Sequence, residues 1–466
     1  VPGDTTLRPT PVATAPAREE LWLTILWHPE RARVGQSVRV TDRMRLSRLE
    51  PQFSAPASRD KAPLGDRHIS RTPVMFSVSA EALTMSGPDL VVDGQQADAQ
   101  VALASEALRR GVLIELAERV VLWLQRRTEP SAPDGLLGCS TALDAVRRIA
   151  CELARVDHPV LIVGETGAGK ERVARLLHER GDRAAGPFVA INMATMTAST
   201  APAQLFGHVR GAFTGADRSA PGLFERADGG TLFLDEVLDT PAETQAMLLR
   251  ALDDGEILPV GADAPHRVSV RVVAATDADT TDDQFRPQLY QRLAGHTISV
   301  PPLRDRREDV GPLLAHFLGE EASEAEVPAS LVRAWMGYAW PGNVREVRNL
   351  ARRWAVASRS GVALERPPQA GAKHEAAPEL DDDRLLATLE AHDWAPGAAA
   401  RALGVSKTTV YAWIERSPRV RKARDVSPDE LEQAMRATDR DPERAARLLK
   451  VSHRGLQLRL RELEHK

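Results

Sequence analysis

The sequence predicts a multidomain chain: an N-terminal β-sandwich, a central α/β domain on a parallel sheet, and a C-terminal all-α part with two helix-turn-helix units in tandem. Three observations carry this. Residues 21–127 hold short apolar runs broken by Gly, Pro and Asp. Further on, a buried-strand pattern runs into a glycine loop and a helix, and a second such strand ends in paired carboxylates. Near the C-terminus, Leu385 to Ile414 aligns without a gap with Leu431 to Leu460, at a constant offset of 46 residues. A length of 466 residues suits roughly three to four domains.

The apolar runs of the first domain fall at Leu21 to Trp27, Val38 to Val40, Val74 to Val78, Leu90 to Val92, Val112 to Leu116 and Val120 to Leu124. Short runs between turn residues are the pattern of a β-sandwich, placed at 21–127. Residues 1–20 are rich in Pro, Ala and Thr and read as a disordered tail.

Val160-Leu161-Ile162-Val163 is short, β-branched and apolar, as expected of a buried parallel strand. Gly164-Glu165-Thr166-Gly167-Ala168-Gly169-Lys170-Glu171 follows, and then Val173, Leu176 and Leu177 recur at helical spacing. Such a loop wraps backbone N–H groups round phosphate oxygens, and the helix N-terminus adds positive potential. Lys170 is placed to reach the β- and γ-phosphates, while Glu171 stands where Ser or Thr is usual. A second run, Thr231-Leu232-Phe233-Leu234, follows Asp228-Gly229-Gly230 and ends in Asp235-Glu236. At this distance from a phosphate loop, Asp235 is placed to hold Mg²⁺ through water. Glu236 is placed to polarise the attacking water as general base. ATP and Mg²⁺ are the expected cofactors.

Between these motifs lies Gly211-Ala212-Phe213-Thr214-Gly215-Ala216, with Leu205-Phe206-Gly207-His208 just before it. Residues 136–355 resemble the AAA+ domain of sigma-54-dependent bacterial transcription activators, which grip sigma-54 RNA polymerase by this loop. The resemblance implies an α/β subdomain at 136–310 and a helical lid at 311–360. It makes Glu171 ordinary for the family. Asn192 matches the asparagine that holds the catalytic glutamate, and Thr276 matches the sensor of the γ-phosphate. Arg286 and Arg292 match arginine fingers that act on a neighbouring subunit, which implies a ring, six-membered in this family. Arg345, in Trp340-Pro341-Gly342-Asn343-Val344-Arg345, matches the second sensor in the lid. Three positions depart from the pattern. Asp277 replaces Asn and is expected to point away from the phosphates or to pair with an arginine. Gln288 replaces Asp, and Val209 replaces Glu.

In the first domain, Arg48, Ile69-Ser70-Arg71, Asp93-Gly94 and Gly111 resemble a forkhead-associated domain. Such domains bind phosphothreonine, here through Arg48, Ser70 and Arg71. Pro73 stands where that family prefers His, and Asp93 where it prefers Asn. A sandwich that regulates by packing alone stays open as the alternative. No receiver-domain pattern of acidic pocket, phospho-acceptor Asp and Lys is visible.

A linker is read at 361–382, where Pro, Ala, Gly and charge replace apolar periodicity. The repeat then places helical units at 383–416 and 428–464. Pro396 pairs with Pro442, Ala399-Ala400-Arg401 with Ala445-Ala446-Arg447, and Val405 with Val451. Each unit resembles the Fis-type helix-turn-helix of the same activators. Gly404 permits the turn in the first, while Lys450 takes its place in the second and is expected to strain or reshape it. The outward positions are Ser406, Lys407, Thr408, Thr409 and Tyr411, then Ser452, His453, Arg454 and Gln457. They are polar and mostly neutral or basic, as readers of a DNA groove should be. Residues 384–466 carry about five more Lys and Arg than Asp and Glu, which fits a phosphate-facing surface. Two helical hairpins that only pack together are the alternative.

The net charge of −4 argues against whole-chain coating of nucleic acid. Cys139 and Cys151 lack zinc-like spacing and read as reduced thiols. No apolar run reaches the ~18 residues of a membrane helix, and no signal-peptide pattern appears. The expected location is cytoplasmic. The expected function is ATP-driven activation of sigma-54 RNA polymerase from double-stranded enhancer DNA, with a phosphothreonine protein as a further partner. The competing function is a DNA-binding AAA+ regulator in which ATP controls assembly without sigma-54 contact.

Overall fold

The computed structural model describes residues 19–360 apart from 80–81, 89, 98–99, 133, 278–284 and 322–326, together with shorter stretches of 382–456, chiefly 382–392, 426–438 and 441–451. The chain divides into two compact units, Val1–Ala370 and Gly371–Lys466.

The first unit begins with two stacked antiparallel sheets. One has eight strands, in the order Lys61–Ala62, Phe53–Ser54, Ser37–Arg39, Glu20–Trp27, Val120–Arg127, Val112–Leu116, Leu90–Val92 and Gln95–Gln96. The other has four: Gln100–Ala104, Ala82–Ser86, Val74–Val78 and Arg45–Leu46. Leu23, Ile25, Phe53, Phe76, Leu83, Met85, Ile114 and Leu122 close the space between them. Strands Val112–Leu116 and Val120–Arg127 read as nearly continuous apolar runs rather than alternating ones, because both of their faces are covered. Leu26, Trp27, Leu113, Val121 and Trp123 line the second face and pack on Val310, Leu313, Leu314, Phe317, Val332 and Trp335.

Those partners belong to the helices Val310–Glu320 and Ala329–Met336, which with Asn343–Ser360 form the lid. The approach is close. A Cβ on Gly311 would lie 2.0 Å from the Leu26 carbonyl oxygen, so only glycine lets the helix sit on that strand. The Trp27 indole donates to the Val327 carbonyl at 3.0 Å, and Arg333 pairs with Glu115 at 3.0 Å. The sandwich and the ATPase-like part are therefore one packed body.

The central sheet is parallel, in the order Phe188–Asn192, Thr231–Asp235, Arg271–Thr276, Val160–Val163 and His296–Ser299. Successive residues feed opposite faces: Val272 and Ala274 pack with Leu205, Phe206 and Leu248, and Val273 and Ala275 with Leu143, Val173 and Leu177. Register pairs Asn192 with Asp235 and Val163 with both Thr276 and Ser299. All strands thus end at one edge, where ligands of open parallel sheets bind.

In the second unit the two halves of the repeat have separate cores. One holds Leu385, Leu389, Trp394, Ala399, Val410 and Ile414, the other Leu431, Ala434, Ala445, Ala446, Val451 and Leu456. Leu385, Ala399 and Val410 correspond to Leu431, Ala445 and Leu456 through the offset of 46. Helix Pro428–Ala437 opens with a reciprocal Ser427–Glu430 capping box. Lys450 holds φ at 55°, a left-handed value, at a cost of about 1–3 kcal/mol for a residue with a Cβ. The turn position thus accommodates lysine through strain.

Candidate functional site

The phosphate loop leaves the sheet at Gly164, whose N–H donates to the Thr276 carbonyl at 3.1 Å. Gly167 and Gly169 have φ of 78° and 110°, and the Cβ direction of Gly169 meets nothing within 4 Å. This is backbone that turns its N–H groups outward and leaves room for a ligand oxygen. Lys170 opens the helix Lys170–Glu179, and its buried ammonium donates to the Gly164 carbonyl at 2.8 Å. It lies 3.5 Å from Glu236 Oε1 and 2.5 Å from Asp277 Oδ1.

Asp235 and Glu236 follow on the neighbouring strand but one. Glu236 sits at φ 50° and ψ 51°, a left-handed turn that aims its side chain off the strand axis. Burial raises the pKa of both carboxyls, against the lowering pull of Lys170. Asn192 Nδ2 is 3.5 Å from Asp235 Oδ2, and its Oδ1 accepts the Ala194 N–H at 2.9 Å. In this structure Asn192 therefore reaches Asp235 rather than Glu236. Thr276 is buried at the end of its strand. The donor set fits ATP·Mg²⁺: a glycine cradle, one buried lysine and adjacent strand-end carboxylates.

Several side chains named from sequence point elsewhere. Glu165 turns to the lid, where Arg304 grips it with two bonds of 2.6 and 2.9 Å and Asn343 Nδ2 donates at 3.1 Å. The Arg304 guanidinium holds that carboxyl below its ordinary range. Glu171 pairs with Arg175 one turn on, at 2.7 Å. Asp277 neither points away nor meets an arginine. Its two oxygens take Lys170 and the Thr166 hydroxyl, the latter at 2.8 Å. The reason is positional: Thr276 is anchored to Gly164, so the next residue stands directly over the loop.

The lid contributes residues that sequence reading missed. Asn343 is fully buried at φ 51°; it accepts the Leu303 N–H at 2.7 Å and donates to the Thr166 carbonyl at 3.2 Å. Buried Arg306 donates to the Ala168 carbonyl at 2.6 Å. Asn343 stood in the same segment as Arg345 and could have been flagged there; nothing local singled out Arg306. Arg345 is exposed beside Gly167, its Cβ 3.2 Å from where a Gly167 Cβ would be.

Arg286 and Arg292 lie exposed at the start and near the end of the helix Pro287–Leu293. Arg292 pairs with Asp253 at 2.9 Å and donates to the Leu252 carbonyl at 3.2 Å. The Arg286 N–H donates to Gln245 at 2.8 Å. Among the described residues, neither arginine forms a hydrogen bond or ion pair with Lys170, Asp235 or Glu236.

Gly211–Ala216 is a tight projecting loop. Gly211 and Gly215 take φ of 82° and 94°, and the Gly211 N–H closes the loop on the Ala216 carbonyl at 2.8 Å. His208 bridges to Ala220 and Val260 beneath it. Phe213 is 47% exposed and rests on the His208 ring at 4.9 Å.

In the sandwich, the Arg48 N–H approaches the Ser70 carbonyl at 3.4 Å, so the two loops are neighbours. The Ser70 hydroxyl accepts the Thr72 N–H at 3.0 Å, and Arg71 is exposed. Asp93 is used locally, accepting the Leu113 N–H at 3.0 Å. Ser406, Lys407, Thr408, Thr409, Tyr411, Ser452, His453, Arg454 and Gln457 lie outside the described residues.

Residues 136–299 match the family described as Sigma-54 interaction domain, and residues 304–377 match the AAA+ ATPase lid domain. The chain is 36% identical over 411 residues to the DNA-binding transcriptional regulator NtrC of Azospirillum brasilense, covering 81% of this chain and 83% of that one. It belongs to the sigma-54-dependent transcription activators. It is also 40% identical over 307 residues to the Nif-specific regulatory protein of Klebsiella pneumoniae, covering 60% of this chain and 58% of the relative. To the hydrogenase transcriptional regulatory protein HoxA of Cupriavidus necator it is 41% identical over 297 residues, 57% of this chain and 61% of the relative. The chain thus spans about three fifths of the length of these last two activators. No helix among the described residues is long and apolar enough to cross a membrane.

Proposed function

We propose that this activator hydrolyses ATP and uses the energy to remodel the closed complex of sigma-54 RNA polymerase into an open one. Lys170 and the backbone of 164–170 hold the β- and γ-phosphates. Asp235 is the residue that would hold Mg²⁺, which would neutralise phosphate charge when bound. Glu236 draws a proton from the attacking water, while Thr276 and Arg345 report the phosphate to sheet and lid. Arg286 and Arg292 serve the site of the next subunit in a six-membered ring. Nucleotide state is passed to Gly211–Ala216, whose Phe213 and Thr214 engage sigma-54. The two helical repeats bind enhancer DNA as an intrachain pair, through the nine polar positions named from sequence. Arg48, Ser70 and Arg71 form the site for a phosphothreonine peptide.

The observation that carries this reading is an exposed aromatic on a loop braced by His208, standing on the domain that presents Lys170, Asp235 and Glu236. One observation favours a second reading, in which ATP controls assembly without sigma-54 contact: Asp277 competes for Lys170. Steady-state ATPase with and without sigma-54, together with open-complex formation on a sigma-54 promoter, separates them. ATPase without open complexes supports the second.

A further inference from the structure

Asp277 uses both carboxylate oxygens on the phosphate loop. Oδ1 lies 2.5 Å from Lys170 Nζ, and Oδ2 accepts the Thr166 hydroxyl at 2.8 Å. An ammonium has three protons to donate. Those of Lys170 face the Gly164 carbonyl, Glu236 and Asp277. The first of these partners is backbone, and the Glu236 side chain is only 22% exposed. Asp277 is different. Its side chain is 49% exposed, and it follows a strand end pinned by the Gly164–Thr276 bond. The preceding strand end is held, while the half-exposed side chain has solvent to rotate into once its two bonds are broken.

We propose that Asp277 is a built-in substitute for the terminal phosphate, which an incoming nucleoside triphosphate must displace from Lys170 and Thr166. Two anions cannot share one lysine in the presence of Asp235 and Glu236 without repulsion. The carboxylate therefore keeps Lys170 oriented while the loop awaits nucleotide, and it weakens nucleotide binding by competition. This chain trades affinity for a phosphate site that is already charge-balanced. The inference rests on the reading of residues 164–171 as the nucleotide site.

The test is calorimetric titration of the full chain with ATPγS and Mg²⁺, for the wild type, Asp277→Asn, Asp277→Ala and Lys170→Ala. Both Asp277 variants should bind about tenfold more tightly, the scale of one charge-assisted hydrogen bond no longer contested. The KM for ATP should fall by a similar factor. Damage to the loop would weaken binding, so tightening is the diagnostic direction. Affinities within twofold of the wild type, or weaker, in both Asp277 variants would overturn the competition while leaving the nucleotide site intact. Wild-type affinity in Lys170→Ala would overturn the nucleotide reading and this inference with it.

Discussion

Glu236 combines a left-handed backbone, a raised pKa and a place beside Lys170. Such strain persists where surrounding structure over-determines it, here at the end of a strand held on both sides. Glu236→Gln keeps the shape and removes the carboxylate proposed as base. Nucleotide binding should survive, and hydrolysis should fall by about 10²–10⁴-fold. A phosphate-release assay reading within threefold of wild type would remove Glu236 from that role. Glu308 is another raised carboxyl, pushed to about 7 by burial and by Asp309, against the lowering effect of Arg127 and Arg307. Its proton is bound more tightly in the folded state than in the unfolded one. The stability it contributes is thus complete below the ordinary glutamate range and is lost as pH rises through about 7. Glu308→Gln should melt higher than wild type at pH ~8, with the gap closing toward pH ~5. Equal melting shifts at both pH values would contradict the assignment.

At the scale of elements, the loop Gly211–Ala216 illustrates how rigidity and exposure coexist. Two glycines in left-handed backbone close the turn, His208 braces it from below, and Phe213 is left in solvent. An exposed aromatic on a braced loop is suited to burying itself in a partner. Phe213→Ala should leave ATPase activity near wild type, since the loop makes no contact with Lys170 or Glu236 among the described residues. It should abolish open-complex formation, read by permanganate footprinting of the promoter. Normal promoter melting by the variant would show that the loop is not the coupling element. Helix Pro287–Leu293 shows a different economy: Arg292 is tethered to Asp253 of its own subunit, while the Arg286 side chain lies exposed at the helix start.

For the first compact unit, the decisive feature is the second apolar face of the eight-stranded sheet. Trp27, Leu113 and Trp123 belong to the same packed cluster as the lid, and Arg307 stacks over the Trp123 ring at 5.2 Å. From that lid, Arg306 reaches the phosphate loop at Ala168, and Asp309 holds Ser140 at the start of the helix Thr141–Ala154. Packed and hydrogen-bonded groups thus run without a break from the sandwich through the lid to the phosphate loop. Gly311→Val places a side chain where the Leu26 carbonyl lies. Overpacking of this kind costs about 1–3 kcal/mol or more. Scanning calorimetry should show a separate, earlier sandwich transition in the variant where wild-type residues 1–370 melt as one. A single transition at the unchanged temperature would mean that the interface contributes little.

Much of this was legible along the chain because its causes are local. Val160–Val163 and the Leu232-Phe233-Leu234 centre of the next motif's strand lie within a parallel sheet covered on both faces, so those strings are apolar throughout. The phosphate loop is continuous in sequence, with glycines where the backbone turns left-handed. The 46-residue offset paired Leu385 with Leu431 and Val410 with Leu456 before any core was seen. The rest depends on contacts between distant residues. Asp277 meets Lys170 across 107 positions, Arg306 meets Ala168 across 138, and Leu26 meets the lid at Gly311. The apolar run Val112–Leu116 was legible as a strand of a sandwich, but nothing local said that its second face would be covered by the lid. That choice belongs to long-range packing, where shape and strand register select one partner among many apolar surfaces of similar composition.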